Sequence, residues 1–145
     1  GIINWSSILE LTNVRIDSNT ANGNGGGLFS FNGEYIATAS TFNWNTSLSG
    51  GGGIYSHSGS LDGASLDSLI QCEVQNNVAN GNGGGIMIQD YQYLYAMNTS
   101  ITDNVAGIKV SLCSVLSYFI LGPIFCSEKP PLILPSTSPK VCSSP

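Results

Sequence analysis

Large apolar residues recur along this chain at fixed distances from the same polar residues. Each copy of the pattern begins with an apolar residue and has Asn three positions later and a small residue two positions after that. The copies begin at Ile16, Phe42, Val74 and Ile101, so their starts are separated by 26, 32 and 27 residues. Periods of this length are typical of stacked repeat proteins, in which each unit buries its apolar face against its neighbours.

Three of the copies are complete and continue into a glycine triplet and then an aliphatic residue. The fourth copy stops at Gly107. If the copies stack on one another, equivalent positions form columns: an amide ladder of Asn, a glycine corner and two inward apolar stacks. The predicted structural repeat positions are Asn19, Asn45, Asn77, Asn104, Gly27, Gly53 and Gly85, and the second apolar stack is Leu28, Ile54 and Ile86.

The amino-acid composition of the repeats favours strands over helices. Asn, Gly, Ser and Thr dominate, and short apolar or alternating stretches are bounded by Gly or Asn, as short strands are. Examples are Leu28–Phe31, Ile86–Ile88 and Tyr93–Met97. The pattern predicts an all-β fold through residue 106, a parallel β-solenoid of about four coils whose equivalent strands lie about 4.8 Å apart.

The first two residues fit the same register. Ile2 precedes Ile16 by fourteen residues, as Leu28 precedes Phe42. We therefore expect the chain to begin within a coil and to be part of a longer solenoid, with neighbouring coils of the parent chain as partners.

The pairing of F-x-x-N with G-G-x-I resembles the middle-region repeat of chlamydial polymorphic outer-membrane proteins. The nearest copy is Phe42–Asn45 followed by Gly51–Tyr55, and the resemblance covers roughly residues 1–107. The family usually has Ala at the third position of the second motif, where this chain has Gly, and two copies replace the leading Phe. The resemblance implies a right-handed parallel β-helix displayed on a cell surface as an adhesin or antigen.

Charge and cysteine content exclude some functions and leave others open. Residues 1–106 carry eight acidic side chains against one basic side chain, Arg15, so nucleic-acid binding is disfavoured. Cys72 is the sole cysteine of the repeats, no metal-binding Cys/His spacing occurs, and no cofactor motif is predicted. Three N-x-[ST] sequons begin at Asn4, Asn45 and Asn98, and chance matches are the favoured interpretation in a chain so rich in Asn and Ser. Asn45 belongs to the ladder, so Asn4 and Asn98 would be the acceptors if the chain is secreted and eukaryotic.

After Gly107 the composition changes, because Asn disappears and all six prolines follow. Residues 108–126 form an apolar segment with three open interpretations: a cap on the open end of the solenoid, a membrane segment, or sequence foreign to the protein. Residues 127–145 have the Pro- and Ser-rich composition of a flexible tail.

Candidate catalytic residues do not form a convincing constellation. Asp17 and Asp103 are two coils apart, and Arg15 is the one candidate base for a lyase. His57 lies between two serines, with Asp62 and Asp67 following in the longest inter-copy segment, but a lone His beside serines is more often an ordinary exposed residue. No residue is therefore assigned a catalytic, cofactor-binding or metal-binding role.

Aromatic residues give the clearest functional indication. Tyr91, Tyr93 and Tyr95 alternate, so in a strand they share one face and could bind sugars or protein. The insertion near Gly59–Leu69 is predicted to form a loop and is a second candidate binding element. The sequence favours a structural and adhesive β-helix segment of a large secreted or cell-surface protein, which binds a protein or glycan ligand. The alternative is a fragment of a carbohydrate-active β-helix enzyme, a polysaccharide lyase or glycoside hydrolase.

Overall fold

The computed structural model describes residues 1–59, 65–90 and 92–107, together with the backbone of 125–128. All regular structure in these residues is β, and they contain no helix. The all-β prediction is therefore confirmed for the part of the chain that the structure describes. Most of the 108–126 segment and of the 127–145 tail lies outside the described residues. The three interpretations of the apolar segment consequently stay open.

Fifteen short strands follow one another in the residues that the structure describes. Most are two to six residues long, as expected where Gly, Asn and Ser interrupt the apolar stretches. They are β1 (Ile2–Trp5), β2 (Ile8–Thr12), β3 (Thr20–Ala21), β4 (Leu28–Phe31), β5 (Glu34–Thr38), β6 (Thr41–Asn43), β7 (Thr46–Ser47), β8 (Ile54–Ser58), β9 (Ser65–Ile70), β10 (Glu73–Gln75), β11 (Val78–Ala79), β12 (Ile86–Asp90), β13 (Gln92–Met97), β14 (Ser100–Ala106) and β15 (Phe125–Glu128).

Three sheets collect these strands, and every pairing is parallel. Sheet 1 has the order β1-β4-β8-β12, and sheet 2 has the order β13-β9-β5-β2. Sheet 3 has the order β3-β7-β11-β14-β10-β6, with β15 paired to β14. Sheets 1 and 2 thus join strands in the order in which they occur in successive repeats. The prediction of parallel pairing between equivalent strands is confirmed.

The register places equivalent residues of the repeats side by side. In sheet 1, Leu28 pairs with both Ile2 and Ile54, and Ile54 pairs with Ile86. In sheet 3, Val74 pairs with Phe42 and Ile101. Apart from Ile2, which is partly buried and packs against the others, these residues belong to one buried apolar cluster, in which Leu28, Ile54, Phe42 and Val74 are fully buried. Burying each such side chain contributes about 1.5–3 kcal/mol.

The glycine triplets form one column. The Gly25 and Gly26 amides donate to the carbonyls of Gly50 and Gly51, and the Gly51 and Gly52 amides donate to Asn82 and Gly83. The first glycine of each triplet has a positive φ, and it is Gly25, Gly51 or Gly83. The second approaches a neighbouring backbone so closely that a Cβ on Gly52 would lie 2.1 Å from the Gly84 carbonyl oxygen.

Residues with a left-handed backbone conformation, in which φ is positive, lie at the other bends of the chain. One column comprises Asn13, Ala39, Gln71 and Asn98 between sheets 2 and 3, and another comprises Ser18, Trp44, Asn76 and Asp103 beside the asparagine ladder. All eight have φ between 49° and 59°. Asn tolerates this conformation because its side chain can hydrogen-bond locally, whereas Ala and Trp gain no such compensation.

Substituting Ala39 by Asn is expected to stabilise the protein by about 1 kcal/mol, because Ala39 is exposed and has a φ of 49°. The equivalent positions Asn13 and Asn98 already carry Asn. Urea unfolding followed by far-UV circular dichroism measures the difference. An unchanged or lower unfolding midpoint would show that the left-handed bend imposes no strain at this position.

The segment between β8 and β9 differs from its prediction. We predicted a loop over Gly59–Leu69, but Ser65–Ile70 form β9 and pair with β5 and β13. The reason is that Leu69 pairs with Ala37 on one side and Ala96 on the other, and all three side chains are buried. This buried column favours pairing of β9 with both neighbouring strands. Residues 60–64 lie outside the described part of the chain. The described residues contain no helix long and apolar enough to span a bilayer.

Candidate functional site

The asparagine ladder is the most completely bonded feature of the interior. Asn45 Nδ2 donates to Asn77 Oδ1 at 3.1 Å, and Asn77 Nδ2 donates to Asn104 Oδ1 at 2.9 Å. Asn19 Nδ2 donates to Asn45 Oδ1 at 3.0 Å, so all four predicted residues form one column. Asn45 and Asn77 are fully buried.

The remaining polar atoms of the ladder bind backbone. Asn77 Oδ1 also accepts the Asn45 amide at 2.8 Å, and Asn77 Nδ2 also donates to the Phe42 carbonyl at 2.7 Å. Asn45 and Asn104 repeat the second contact with Ile16 and Val74. Because buried polar groups are costly unless bonded, this saturation identifies the ladder as structural and leaves no group free for a ligand.

The asparagine ladder also explains why positions 27, 53 and 85 are glycine. A Cβ on Gly27 would lie 2.9 Å from Asn45 Nδ2, and a Cβ on Gly85 would lie 2.7 Å from Asn104 Nδ2. Gly53 has the same relation to Asn77. The third glycine of each triplet therefore gives space to the amide, whereas the first allows the left-handed turn.

The outward face of sheet 1 carries two columns of large side chains, which we call the aromatic columns. Their members are found by the parallel register, since alternate residues of a strand share a face. One column is Ile3, Phe29, Tyr55 and Met87, and the other is Trp5, Phe31, His57 and Gln89.

Ring contacts connect the members of the aromatic columns. Phe29 and Tyr55 are stacked with centroids 5.4 Å apart and an interplanar angle of 2°. Phe31 lies between Trp5 and His57, with centroids 4.5 Å and 5.2 Å away. Such pairs contribute about 0.5–1.5 kcal/mol beyond their buried area. Trp5 is nevertheless 63% exposed, and Ile3 is 75% exposed.

Polar groups bound the aromatic columns on the β12 side. The Tyr55 hydroxyl donates to Gln89 Oε1, and His57 Nδ1 lies 2.9 Å from Asp90 Oδ2. Burial, together with the negative charge of Asp90, raises the pKa of the Tyr55 hydroxyl. Tyr55 is therefore a neutral hydrogen-bond donor at physiological pH, and it provides no charge for binding ions.

The predicted tyrosine stripe lies on a different sheet. Tyr93 is exposed and Tyr95 is half-buried on the outward face of β13, in sheet 2. Tyr93 pairs with Leu66, and the Tyr95 hydroxyl contacts Met97 Sδ at 3.3 Å. Tyr91 lies outside the described residues. As a binding face the tyrosine stripe stays a prediction, and sequence reasoning missed the larger aromatic surface on sheet 1.

The candidate catalytic residues are engaged in structural contacts. Asp17 binds Arg15 at 2.9 Å and accepts hydrogen bonds from Thr41 Oγ1 and the Asn43 amide. Asp103 has a left-handed backbone conformation and belongs to the same column as Ser18, beside the asparagine ladder. In the described residues no group of three His, Cys, Asp or Glu side chains is placed to hold a metal ion.

The Ser/His/Asp arrangement considered for the long segment is not assembled among the described residues. Ser56 and Asp67 face the interior and hydrogen-bond to each other, whereas His57 faces outward and contacts Asp90. The alternation of neighbouring side chains in β8 separates His57 from Ser56. Asp62 lies outside the described residues.

Only one of the three sequons offers its amide to solvent. Asn4 is 3% exposed and donates to the carbonyls of Ser7 and Glu34, so its amide is not available to an attached glycan in the folded chain. Asn4 lies two positions after Ile2, which is in register with the inward Leu28, so the alternation of side chains in β1 turns Asn4 inward. Asn45 is buried in the ladder, and Asn98 is exposed at a bend.

Comparison with known proteins gives no match to this chain. No family model, no curated protein and no solved structure matches it. The fold and site define a repetitive all-β protein with parallel sheets, a saturated amide ladder inside and aromatic columns outside.

Proposed function

We propose that this chain is a segment of a right-handed parallel β-helix and acts as a structural and adhesive element of a secreted or cell-surface protein. The resemblance to polymorphic outer-membrane protein repeats is part of the same proposal. The aromatic columns, ending at Ile3 and Trp5, are its contact surface for a protein or glycan ligand. Further coils of a longer parent chain are its neighbours along the axis.

Parallel pairing between successive repeats supports the β-helix. Equivalent strands pair in register in sheets 1 and 2, and the glycine triplets and asparagines form continuous columns. Crossover connections between parallel strands are right-handed in nearly all proteins, which supports the handedness.

The exposed apolar surface is the observation on which the adhesive role rests. On the outward face of sheet 1, Ile3 and Trp5 of the edge strand β1 are 75% and 63% exposed, and Phe29 and Phe31 remain partly exposed although β4 has neighbours on both sides. Contiguous exposed apolar groups on a soluble surface mark interaction sites more often than chance. The described residues supply one Lys or Arg side chain, Arg15, which is paired with Asp17, so the surface suits a ligand that carries no strong negative charge.

Adhesion of coated beads to cultured epithelial cells tests the proposal. Beads carrying the wild-type chain are expected to be retained, and the double substitution Ile3→Ser, Trp5→Ser is expected to reduce retention at least tenfold. The reason is that truncating a central aromatic anchor commonly costs 2 kcal/mol or more of binding free energy.

The matched control is Trp44→Ser, because Trp44 is also an exposed tryptophan but lies at a bend outside the aromatic columns. Circular dichroism establishes that all variants keep the wild-type fold. Equal retention of wild type and the double variant would exclude the aromatic columns as the contact surface. No retention of wild-type beads would refute the adhesive role on these cells.

A further inference from the structure

Asp67 occupies a position in which the neighbouring repeats have apolar residues. It pairs with Leu94 in sheet 2, and its own strand neighbour Ser68 pairs with Ile36, which places Tyr35 beside it. Tyr35 in turn pairs with Leu9. The side chain of Asp67 is fully buried in this inward column.

Three neutral groups hydrogen-bond to the carboxyl group. The Tyr35 amide donates to Oδ1 at 3.1 Å, the Ser56 hydroxyl donates to Oδ2, and Gln92 contributes a side-chain hydrogen bond. Ser56 belongs to β8 and Asp67 to β9. The Ser56–Asp67 hydrogen bond therefore joins the two strands on either side of residues 60–64.

No positive charge among the described residues compensates a negative charge at this position. Glu34 and the buried Tyr35 face it from β5, Gln92 faces it from β13, and β8 contributes Ser56. Of the groups that can be cationic in the described residues, the Gly1 amino group donates to Asn19, Arg15 pairs with Asp17, and His57 lies on the outward face with Asp90. An ionised carboxylate buried without a counter-charge is strongly unfavourable.

We propose that Asp67 is a proton-controlled latch at the base of the β8–β9 connection. Protonated Asp67 keeps β8 and β9 joined through Ser56 and lets the interior stay dry. Loss of the proton places an unpaired charge in the apolar column and favours local opening of this corner. The contact between β8 and β9 is therefore tightest at acidic pH and loosens progressively as the pH rises to about 7.

The direction follows from proton binding in the two states. Burial raises the pKa of Asp67 from 3.8 to about 7, and the hydrogen bonds from Ser56, Tyr35 and Gln92 only partly oppose this shift. Between these two values the closed state binds more protons than the open state. The closed state is therefore fully favoured below about pH 4 and loses that advantage as the pH rises to about 7.

Hydrogen exchange measured by mass spectrometry at pH 5, 6, 7 and 8 tests the latch. After correction for intrinsic exchange, the opening equilibrium of peptides covering 54–59 and 65–70 is expected to increase up to about tenfold per pH unit between pH 5 and 7. Asp67→Asn removes the titrating group, and Asp67→Leu matches Leu9 and Leu94 of the same column. Both variants are expected to show no such increase.

Glu10→Gln is the control, since Glu10 is an exposed acid on β2 of the same sheet, and it is expected to keep the wild-type pH dependence. A pH dependence unchanged in both Asp67 variants overturns the latch. Carbon-13 NMR titration of wild-type protein labelled at Asp side chains tests it without any substitution. A buried Asp67 resonance titrating near 7 supports the latch, whereas a midpoint below 5 overturns it.

Discussion

Replacing Gly52 by Ala is expected to destabilise the protein by about 3 kcal/mol or more. The added Cβ would lie 2.1 Å from the Gly84 carbonyl oxygen and 2.6 Å from the Val78 carbonyl group. Both contacts are with backbone, which cannot rotate away as a side chain does, so the neighbouring repeats must separate. Urea unfolding followed by far-UV circular dichroism measures the loss of free energy of unfolding.

Gly23→Ala is the matched control, because a Cβ at Gly23 meets no atom within 4 Å. It is expected to change the free energy of unfolding by less than about 1 kcal/mol, in either direction. Equal effects at Gly23 and Gly52 would contradict close backbone approach as the reason for the second glycine of each triplet.

Replacing Asn77 by Ala is expected to cost at least about 4 kcal/mol. The substitution removes two bonds from Asn45, one to the Phe42 carbonyl and one to Asn104. Asn104 Oδ1 keeps the Asn77 backbone amide, but the Asn45 groups and the Phe42 carbonyl lose these bonds in a buried environment, and an unsatisfied buried group costs about 1–3 kcal/mol. The same urea titration measures the effect, and the proportion of folded protein at zero denaturant reports complete loss of folding.

Two further variants show whether the ladder causes the loss. Asn22→Ala alters an exposed Asn of the glycine-rich bend and is expected to be nearly neutral. Asn19→Ala removes the terminal member, which has one ladder neighbour, and is expected to have an intermediate cost. A uniform small cost at Asn19, Asn22 and Asn77 would contradict a cooperative amide ladder.

The features that repeat identically could be predicted from sequence. Asn19, Asn45, Asn77 and Asn104 are recognisable because stacking forces one chemical type on each column. The inward stack of Phe42 and Val74 and the glycine corner follow from the same repetition. The low content of charged and helix-forming residues favours strands over helices. The repetition of the same positions at a fixed period then favours parallel pairing between equivalent strands.

The aromatic columns could not be predicted in the same way. Phe29 and Phe31 face outward at the first and third positions after Leu28, and Tyr55 and His57 occupy the same positions after Ile54. Met87 and Gln89 replace them in the next repeat, so the positions share no identity, and nothing in the motif marks them. The alternation of aromatics within β4 and β8 was the available signal.

Asp67 was overlooked as an interior residue for a related reason. The insertion before it shifts its position relative to the repeat motif, so the sequence gives no register for β9 until strand pairing is known. The structure fixes that register through Ser68 and Ile36. A polar residue in an apolar column is then evident, whereas in the sequence alone Asp67 looks like one of several acids in a loop.

The 32-residue spacing between the second and third copies leaves the following strands in register, since Ile86 still pairs with Ile54 and Val74 still pairs with Phe42. Each sheet is aligned by its own columns, so extra chain at one bend does not displace the others. The segment between β8 and β9 is thus a natural grafting position. A short peptide inserted between β8 and β9 is therefore expected to leave the register of the other strands unchanged.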